Sequence, residues 1–129
     1  MKYFDQMNIE GKASIMKIYI GEADRVHGRP LYEEIVFAAR NAGLAGASVF
    51  KGMLSFGASH SIHTMKIFAL SSDMPVVIEL VDTHKNLEAF CPELYKLMDE
   101  SKKGGLVTIH KLDVLRYKRG DKYNQFATF

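Results

Sequence analysis

Several features that would define a protein class are scarce or missing in this sequence of 129 residues. Cys91 is the single cysteine, which excludes an internal disulfide and fits a reducing compartment. No run approaches the roughly 18 consecutive apolar residues of a membrane span, and residues 1–14 lack the apolar centre of a signal peptide. We therefore expect a cytoplasmic protein. Its length and 47% apolar content fit a single domain, 1–129, with one core.

The sequence also lacks the short motifs by which many proteins hold nucleotides or cleave esters. It contains neither G-x-x-x-x-G-K-[ST] nor G-x-G-x-x-G before a helix. It does not contain G-x-S-x-G either, so Ser59 and Ser61 beside two histidines are a weak nucleophile site. A nucleotide could still be held by glycines that let backbone amides approach phosphates, together with Lys and Arg from a strand end.

The charge of the chain is unevenly distributed, although its net value is only +2. Residues 1–101 carry 10 Lys and Arg against 13 Asp and Glu, whereas residues 102–129 carry seven against two. A basic excess of this kind is typical either of a solvated tail or of a surface that binds an anion. The charge alone leaves both interpretations open.

Hydrophobic periodicity predicts six elements in the order βαββαβ. The strands are predicted at 14–20, 44–52, 64–82 (interrupted before Pro75) and 106–117, and the helices at 30–43 and 83–104. Pro30 suits the start of the first helix and Gly43 its end. Thr83 is a plausible N-cap for the second helix, Pro92 predicts a kink or a break within it, and Gly104 and Gly105 end it.

This order is that of a ferredoxin-like α+β fold, an antiparallel sheet with two helices on one face. The core is expected at 13–117, followed by a polar tail at 118–129. The other face of the sheet would then be exposed to solvent. Another copy of the chain, related by symmetry, could cover it, so we do not expect a monomer.

The segment 53–63 is unusually poor in packing groups for one that follows an apolar strand. His60 and His63 could be metal ligands, with a third ligand such as His84 from another element, or simply exposed loop residues. The spacing of two histidines alone does not decide between these readings.

Three long stretches resemble the PII-like family known as domain-of-unknown-function family 190. They are "GEADRVHGRPLYEEIVFAARNAGLAGASVFKGMLSFGASHSIHT", "LSSDMPVVIELVD" and "GGLVTIHKLDVLRY", and the resemblance runs from about Lys17 to Tyr117. More distantly, the chain is similar to the PII signalling proteins, ferredoxin-like homotrimers that bind ATP or ADP in clefts between subunits. The resemblance implies a trimeric regulatory protein, not an enzyme, that binds an adenine nucleotide (ADP, ATP or AMP). It implies no nucleic-acid partner, and by analogy with PII a membrane transporter is a candidate for the regulated protein.

Local matches imply which residues form the nucleotide site. "GLAGASV" resembles the opening of the second PII strand and implies that Ser48 lies near the adenine; "KGMLSFG" resembles the approach to the PII loop and implies that Gly57 lies near the phosphates. "LRYKRG" resembles the end of the last PII strand, which makes Arg116 and Lys118 phosphate-facing. The remaining candidates are Gly52, before the loop, and Lys102, Lys103, Gly104 and Gly105, in the region of the PII phosphate loop.

The chain departs from PII within the loop. It lacks the tyrosine that PII proteins modify and the arginine–glutamine pair after Gly57, where Ala58 and Ser59 stand, so nitrogen sensing and uridylylation are not expected. The resemblance makes 53–63 the counterpart of the PII switch loop, which explains its few packing groups if the segment is mobile. Two alternatives stay open: a metal-responsive trimer that uses the loop histidines, and a small enzyme that acts on a nucleotide at the same cleft.

Overall fold

The computed structural model describes residues 11–52, 55–56, 62–63 and 74–118. The strands are β1 (Ala13–Gly21), β2 (Arg25–Val26), β3 (Arg29–Pro30), β4 (Gly46–Lys51), β5 (Ser55–Phe56), β6 (Ile62–His63), β7 (Pro75–Asp82) and β8 (Leu106–Leu112), and the helices are α1 (Leu31–Ala42) and α2 (His84–Ser101). The main sheet is antiparallel and has the order β4-β7-β1-β8, with two small hairpins, β2–β3 and β5–β6, beside it. The predicted ferredoxin-like α+β fold is confirmed.

Alternation along the central strands places one face of the sheet in the core. In β7 every second residue is buried, and in β1 the residues opposite them point to the same face. Both helices pack their apolar stripes against the core that these strands form. The core residues are Met16, Ile18, Ile20, Val26, Leu31, Ile35, Ala38, Ala39, Val76, Ile78, Leu80, Leu87, Phe90 and Leu94.

The helix ends follow local signals in the sequence. Gly43 closes α1 in a left-handed conformation with φ 83°, and its N–H donates to the Arg40 carbonyl at 3.0 Å. At the start of α2, the Thr83 hydroxyl accepts a hydrogen bond from the Asn86 N–H at 3.1 Å. Helix α2 continues through Pro92 as one helix, so the predicted break into two pieces is wrong. It ends at Ser101, before the predicted Gly104, because Lys102 takes up the left-handed conformation with φ 61°.

The small hairpin β2–β3 lies between β1 and α1. His27 and Gly28 form its tip with φ of 52° and 75°, the two positive values of a tight turn that suits antiparallel strands. An ion pair between His27 Nε2 and Glu100 Oε1 at 2.8 Å joins the tip to the last turn of α2. Periodicity could not predict this hairpin, because its strands are only two residues long.

Two strands differ from their predictions. β4 is an edge strand whose residues from Ala47 to Lys51 are exposed in the single chain, so its apolar side chains do not enter the core of that chain. β8 ends at Leu112 and not at Tyr117, because Leu112 pairs with Ala13, where β1 begins. Beyond that pair, the Gly11 N–H still donates to the Val114 carbonyl at 2.9 Å, but neither residue belongs to a strand.

The predicted strand at 64–70 lies outside the described residues, as do most of the segment 53–63 and the tail beyond Lys118. Among the residues that the structure describes, no helix is long and apolar enough to cross a membrane.

Candidate functional site

Apart from Ser48, the predicted site residues that the structure describes lie at two opposite ends of the sheet. At the first, here called the loop end, β1 and β4 finish and β7 and β8 begin. At the second, here called the tail end, β8 finishes and the residues 113–118 follow. The ends are separated by the length of β8, about 20 Å at 3.4 Å per residue.

Gly52 lies at the loop end, directly after β4. Its N–H donates to the Pro75 carbonyl at 2.8 Å, and a Cβ there would lie 3.1 Å from the Pro75 Cγ. A side chain at this position would therefore press on the first residue of β7. The predicted site residue Gly57 lies outside the described residues.

An ion pair fixes the backbone just before Gly52. Lys51 Nζ lies 2.7 Å from Glu22 Oε2, which joins the end of β4 to the residue after β1. The hydrogen bond to Glu22, followed by its negative charge, raises the pKa of Lys51 above its ordinary value of 10.5. Neither residue was among the predicted site residues, since a pairing across two strands has no local signal in the sequence.

The connection from α2 to β8 brings Lys102, Lys103, Gly104 and Gly105 to the same end of the sheet. Lys102 and Lys103 are exposed, and the Lys103 N–H is 3.3 Å from the Ser101 hydroxyl. A Cβ on Gly105 would lie 2.6 Å from the Met98 Cε and 3.3 Å from the Tyr19 carbonyl oxygen. The backbone of this connection thus passes close to β1, with two lysines held at the surface.

Gly52 and Gly105 are nevertheless far apart within one chain. Gly52 follows the edge strand β4, whereas Gly105 precedes β8 at the opposite edge of the sheet. Three spacings of about 4.8 Å between strands separate them, which is about 14 Å.

Ser48 projects from the face of the sheet that the helices do not cover, here called the open face. It lies opposite Glu79 in β7, and Glu79 Oε2 is 4.0 Å from Lys17 Nζ in β1. Ser48 is exposed in the single chain. Its hydroxyl is thus available beside a half-buried ion pair.

Arg116 and Lys118 lie at the tail end, at the opposite end of the sheet from Gly52 and the Lys102–Gly105 connection. They are exposed and flank Tyr117, whose hydroxyl donates to the Ala45 carbonyl at 3.4 Å. This contact shows that the residues after β8 cross from one edge of the sheet to the start of β4 at the other. Because β8 ends at Leu112 and not at the predicted Tyr117, the two cations belong to an irregular segment and not to a strand end.

The structure therefore does not bring the predicted residues together within one chain. It places them in three groups: Ser48 with Gly52 on the β4 edge, Lys102 to Gly105 on the β8 edge, and Arg116 with Lys118 at the tail end. An anion held by all three groups would need contributions from more than one copy of the chain.

The histidines considered as metal ligands are not assembled into a metal centre in the described part of the chain. His84 Nε2 lies 3.4 Å from Glu88 Oε2, and His63 belongs to β6, while His60 lies outside the described residues. No group of three or more His, Cys, Asp or Glu side chains that could hold a metal ion occurs in residues 11–52 and 74–118.

Comparison with known families gives one match that spans most of the chain. Residues 13–114 match the model of the DUF190 family, described as "Uncharacterized ACR". The UPF0166 protein of Methanocaldococcus jannaschii is 37% identical over 98 residues, which cover 76% of this chain and 87% of that protein. A UPF0166 protein of Aquifex aeolicus is 30% identical over 104 residues, which cover 81% and 94% respectively.

Solved structures give a consistent fold. CPII of Thiomonas intermedia K12, a nitrogen regulatory PII-like protein bound to ADP, AMP and bicarbonate, superposes with a TM-score of 0.61 at 17% identity, covering 81% of this chain and 90% of that one. The same protein bound to ADP, AMP and acetate gives 0.59 at 16% identity, covering 82% and 91%. At these identities the likeness shows the fold of the chain and not its ligand.

Proposed function

Because this chain belongs to the DUF190 family and has the PII-like fold, we propose that it is a regulatory protein that binds an adenine nucleotide, ADP or ATP, between the subunits of a homotrimer. In this proposal residues 53–63 carry the signal to a regulated protein. The separation of the predicted site residues supports it most directly. Cations at the tail end of one copy and the Lys102–Gly105 connection of a neighbour could together surround a chain of phosphates, whereas a single chain cannot do this.

The open face supports the trimer. Phe50, Val77, Tyr19 and Leu106 lie opposite one another in register and form an apolar row across all four strands. Phe50, Tyr19 and Leu106 are 52%, 38% and 51% exposed in the single chain. Such a row is costly to leave in water, and burial against other copies would remove that cost.

The choice of an adenine nucleotide rests on two independent supports. The excess of Lys and Arg after residue 101 suits a polyanion, and the PII-like CPII structures with the same fold hold ADP and AMP. The proposed phosphate contacts are Arg116 and Lys118 of one subunit and the Lys102–Gly105 connection of the next, with Ser48 near the base.

Calorimetric titration with ADP and ATP tests this function. Wild-type protein should bind with saturation, and Arg116→Ala should lose about tenfold or more in affinity, because it removes a charged hydrogen-bond donor from a phosphate. Arg40→Ala, which removes the same charge from the exposed last turn of α1, should bind as wild type does. Equal affinities for both variants would remove Arg116 from the site.

Product analysis after incubation with ATP tests the enzyme alternative in the same samples. If the protein is regulatory, the ATP should remain unchanged throughout the incubation. Formation of ADP or AMP in molar excess over the protein would favour catalysis. Titration with zinc or copper tests the metal alternative, since the loop histidines would then bind without any nucleotide.

A further inference from the structure

A second candidate site lies on the other face of the sheet from the open face. A cleft of about 610 Å³ opens where β1 begins and β8 ends, beside the first residues of α2. Ser14 of β1 lies opposite Lys111 of β8, so their side chains share the face on which the helices pack. Lys12 precedes Ser14 by two residues and also lines this cleft, here called the basic cleft.

Two lysines and one acidic residue line the basic cleft. Within the described ranges, neither Lys12 nor Lys111 forms an ion pair, whereas Lys17 and Lys51 are each paired with a glutamate. Asp113 is the acidic residue among those that line the cleft, so the lining has an excess of positive charge. Lys12 lies just before β1 and Lys111 lies in β8, and an anion bound in the cleft that both line would be attracted by both ammonium groups.

His84 stands at the rim of the same cleft in a fixed orientation. Its Nδ1 lies 3.4 Å from the Ser14 hydroxyl oxygen, and its Nε2 lies 3.4 Å from Glu88 Oε2. Ser14 is 0% exposed, so its hydroxyl is not accessible as a nucleophile and serves to orient the imidazole. This arrangement gives the cleft a polar, hydrogen-bonding rim beside the two lysines.

We propose that the basic cleft binds a small dianion, either inorganic phosphate or a phosphate monoester, between Lys12 and Lys111. Charge-assisted hydrogen bonds to phosphate oxygens are about twice as strong as neutral ones, which suits two free ammonium groups. The volume of about 610 Å³ exceeds that of a bare phosphate and falls within the usual range for small-molecule sites. An organic group attached to the phosphate has room along Ala13 and Leu112.

This site is separate from the proposed nucleotide site. It lies at the β1–β8 side of the tail end, on the helix-covered face, whereas Tyr117 brings the neighbouring Arg116 and Lys118 to the β4 side at Ala45. Gly52 and the Lys102–Gly105 connection lie at the opposite end of the sheet. The proposal therefore does not depend on nucleotide binding.

The test is a titration of isotope-labelled full-length protein with inorganic phosphate at constant ionic strength, followed by amide chemical shifts. The shifts of Ser14, His84 and Lys111 should change and saturate. Lys12→Gln combined with Lys111→Gln should weaken this binding by about tenfold or more. The matched pair Lys96→Gln and Arg40→Gln removes the same charge from exposed helix positions and should leave the affinity within about twofold. Equal weakening by both pairs, or shifts that never saturate, would overturn the proposal.

Two further measurements allow the proposal to be tested if the double variant does not fold or if ADP also binds in this cleft. If the double variant does not fold, the single variants Lys12→Gln and Lys111→Gln should each weaken binding by about threefold. The titration is then repeated at saturating ADP, where the same amides should respond to phosphate with unchanged affinity. Displacement of phosphate from these amides by ADP would contradict a separate site. Absence of any ADP binding would contradict the proposed nucleotide function and leave the phosphate titration as a valid test.

Discussion

At the scale of single residues, the buried carboxylate of Asp82 joins three parts of the fold. Its Oδ2 accepts from the Ala45 N–H at 2.8 Å, and its Oδ1 accepts from the Thr83 N–H at 2.6 Å and from the Asn86 side chain at 2.8 Å. Asp82 is 0% exposed and Asn86 is 7% exposed, so the Asn86 side chain has no easy alternative partner in water. One side chain thus fixes the start of α2 and the connection from α1 to β4.

Asp82→Ala should lower the free energy of unfolding by about 2–4 kcal/mol, because it leaves one buried and two partly buried donors without their acceptor. Urea unfolding at neutral pH measures the change. Asp99→Ala, which removes the same group from an exposed position of α2, should change the value by less than about 0.5 kcal/mol. Similar losses in both variants would mean that the Asp82 network contributes little.

Residues with local signals could be predicted, and residues whose role depends on distant partners could not. Gly43 and Thr83 were predicted at their helix ends because each acts on residues within one turn. Asp82 was not singled out, since its partner Ala45 is 37 residues away in the sequence. Lys102 in the left-handed conformation was also missed, because two glycines close by seemed better suited to end the helix.

At the scale of elements, the ion pair between Lys51 and Glu22 anchors the edge strand β4 just before the segment 53–63. It bridges β4 to the end of β1, across the intervening strand β7. The backbone bond from the Gly52 N–H to the Pro75 carbonyl continues the anchoring by one residue. The base of the proposed signalling segment is therefore held at two successive positions.

The contribution of this ion pair should disappear at high pH. Glu22 raises the pKa of Lys51 above 10.5 in the folded protein, so the stabilisation is fully present below 10.5 and is lost as the pH rises through the folded-state value. Wild type should therefore be more stable than Lys51→Gln at about pH 8, and the two should converge above the folded-state pKa. Urea unfolding at several pH values measures this. Lys96→Gln, at an exposed helix position, should show no such convergence, and a constant difference for Lys51→Gln would contradict the pairing.

The ends of the last strand illustrate what periodicity cannot reveal. The apolar pattern of β8 continues through Leu115 to Tyr117, yet the ladder stops at Leu112 because β1 starts at Ala13. A strand can pair only as far as its partner strand extends. The residues of the strand itself do not reveal where its partner begins or ends. For the same reason Arg116 and Lys118 were expected at a strand end and lie in a crossing segment instead.

At the scale of the whole molecule, the open face of the sheet decides whether the chain can exist alone. An apolar row (Phe50, Val77, Tyr19, Leu106) lies beside a polar row (Ser48, Glu79, Lys17, Thr108), both in register across the four strands. The first row favours association, and the second offers hydrogen-bonding groups that can fix how the copies are arranged.

Wild-type protein should have three times the 14.6 kDa mass of the chain in light scattering. Phe50→Lys should shift the population towards monomers, because it places a charge within the row that the trimer would bury. Phe37 on α1 is also an exposed aromatic residue, at 47%, but it lies on a helix and not on the open face. Phe37→Lys should therefore remain trimeric, and a wild-type mass of a single chain would contradict the assembly.

The fold could be predicted from the sequence more completely than the site. Periodicity predicted the βαββαβ order and an apolar strand at 44–52, yet β4 is exposed in the single chain. The apolar composition of a strand indicates that its side chains need to be buried. It does not reveal whether the residues that bury them belong to the same chain or to another subunit. The proposed site has the same difficulty, since its residues were predicted as one group and lie in three places.

The central claim is that each nucleotide site is shared between two subunits. It is tested by mixing two inactive variants, Arg116→Glu and Lys103→Glu, after joint unfolding and refolding in equal amounts. Each variant alone should bind no ADP in calorimetry, since it puts a negative charge beside the phosphates. In mixed trimers, about one quarter of the interfaces combine an intact Arg116 with an intact Lys103. ADP binding should therefore return with a stoichiometry of about one quarter of the wild-type value and with wild-type affinity. A mixture that binds no ADP, while both variants form trimers, would contradict a site shared between subunits.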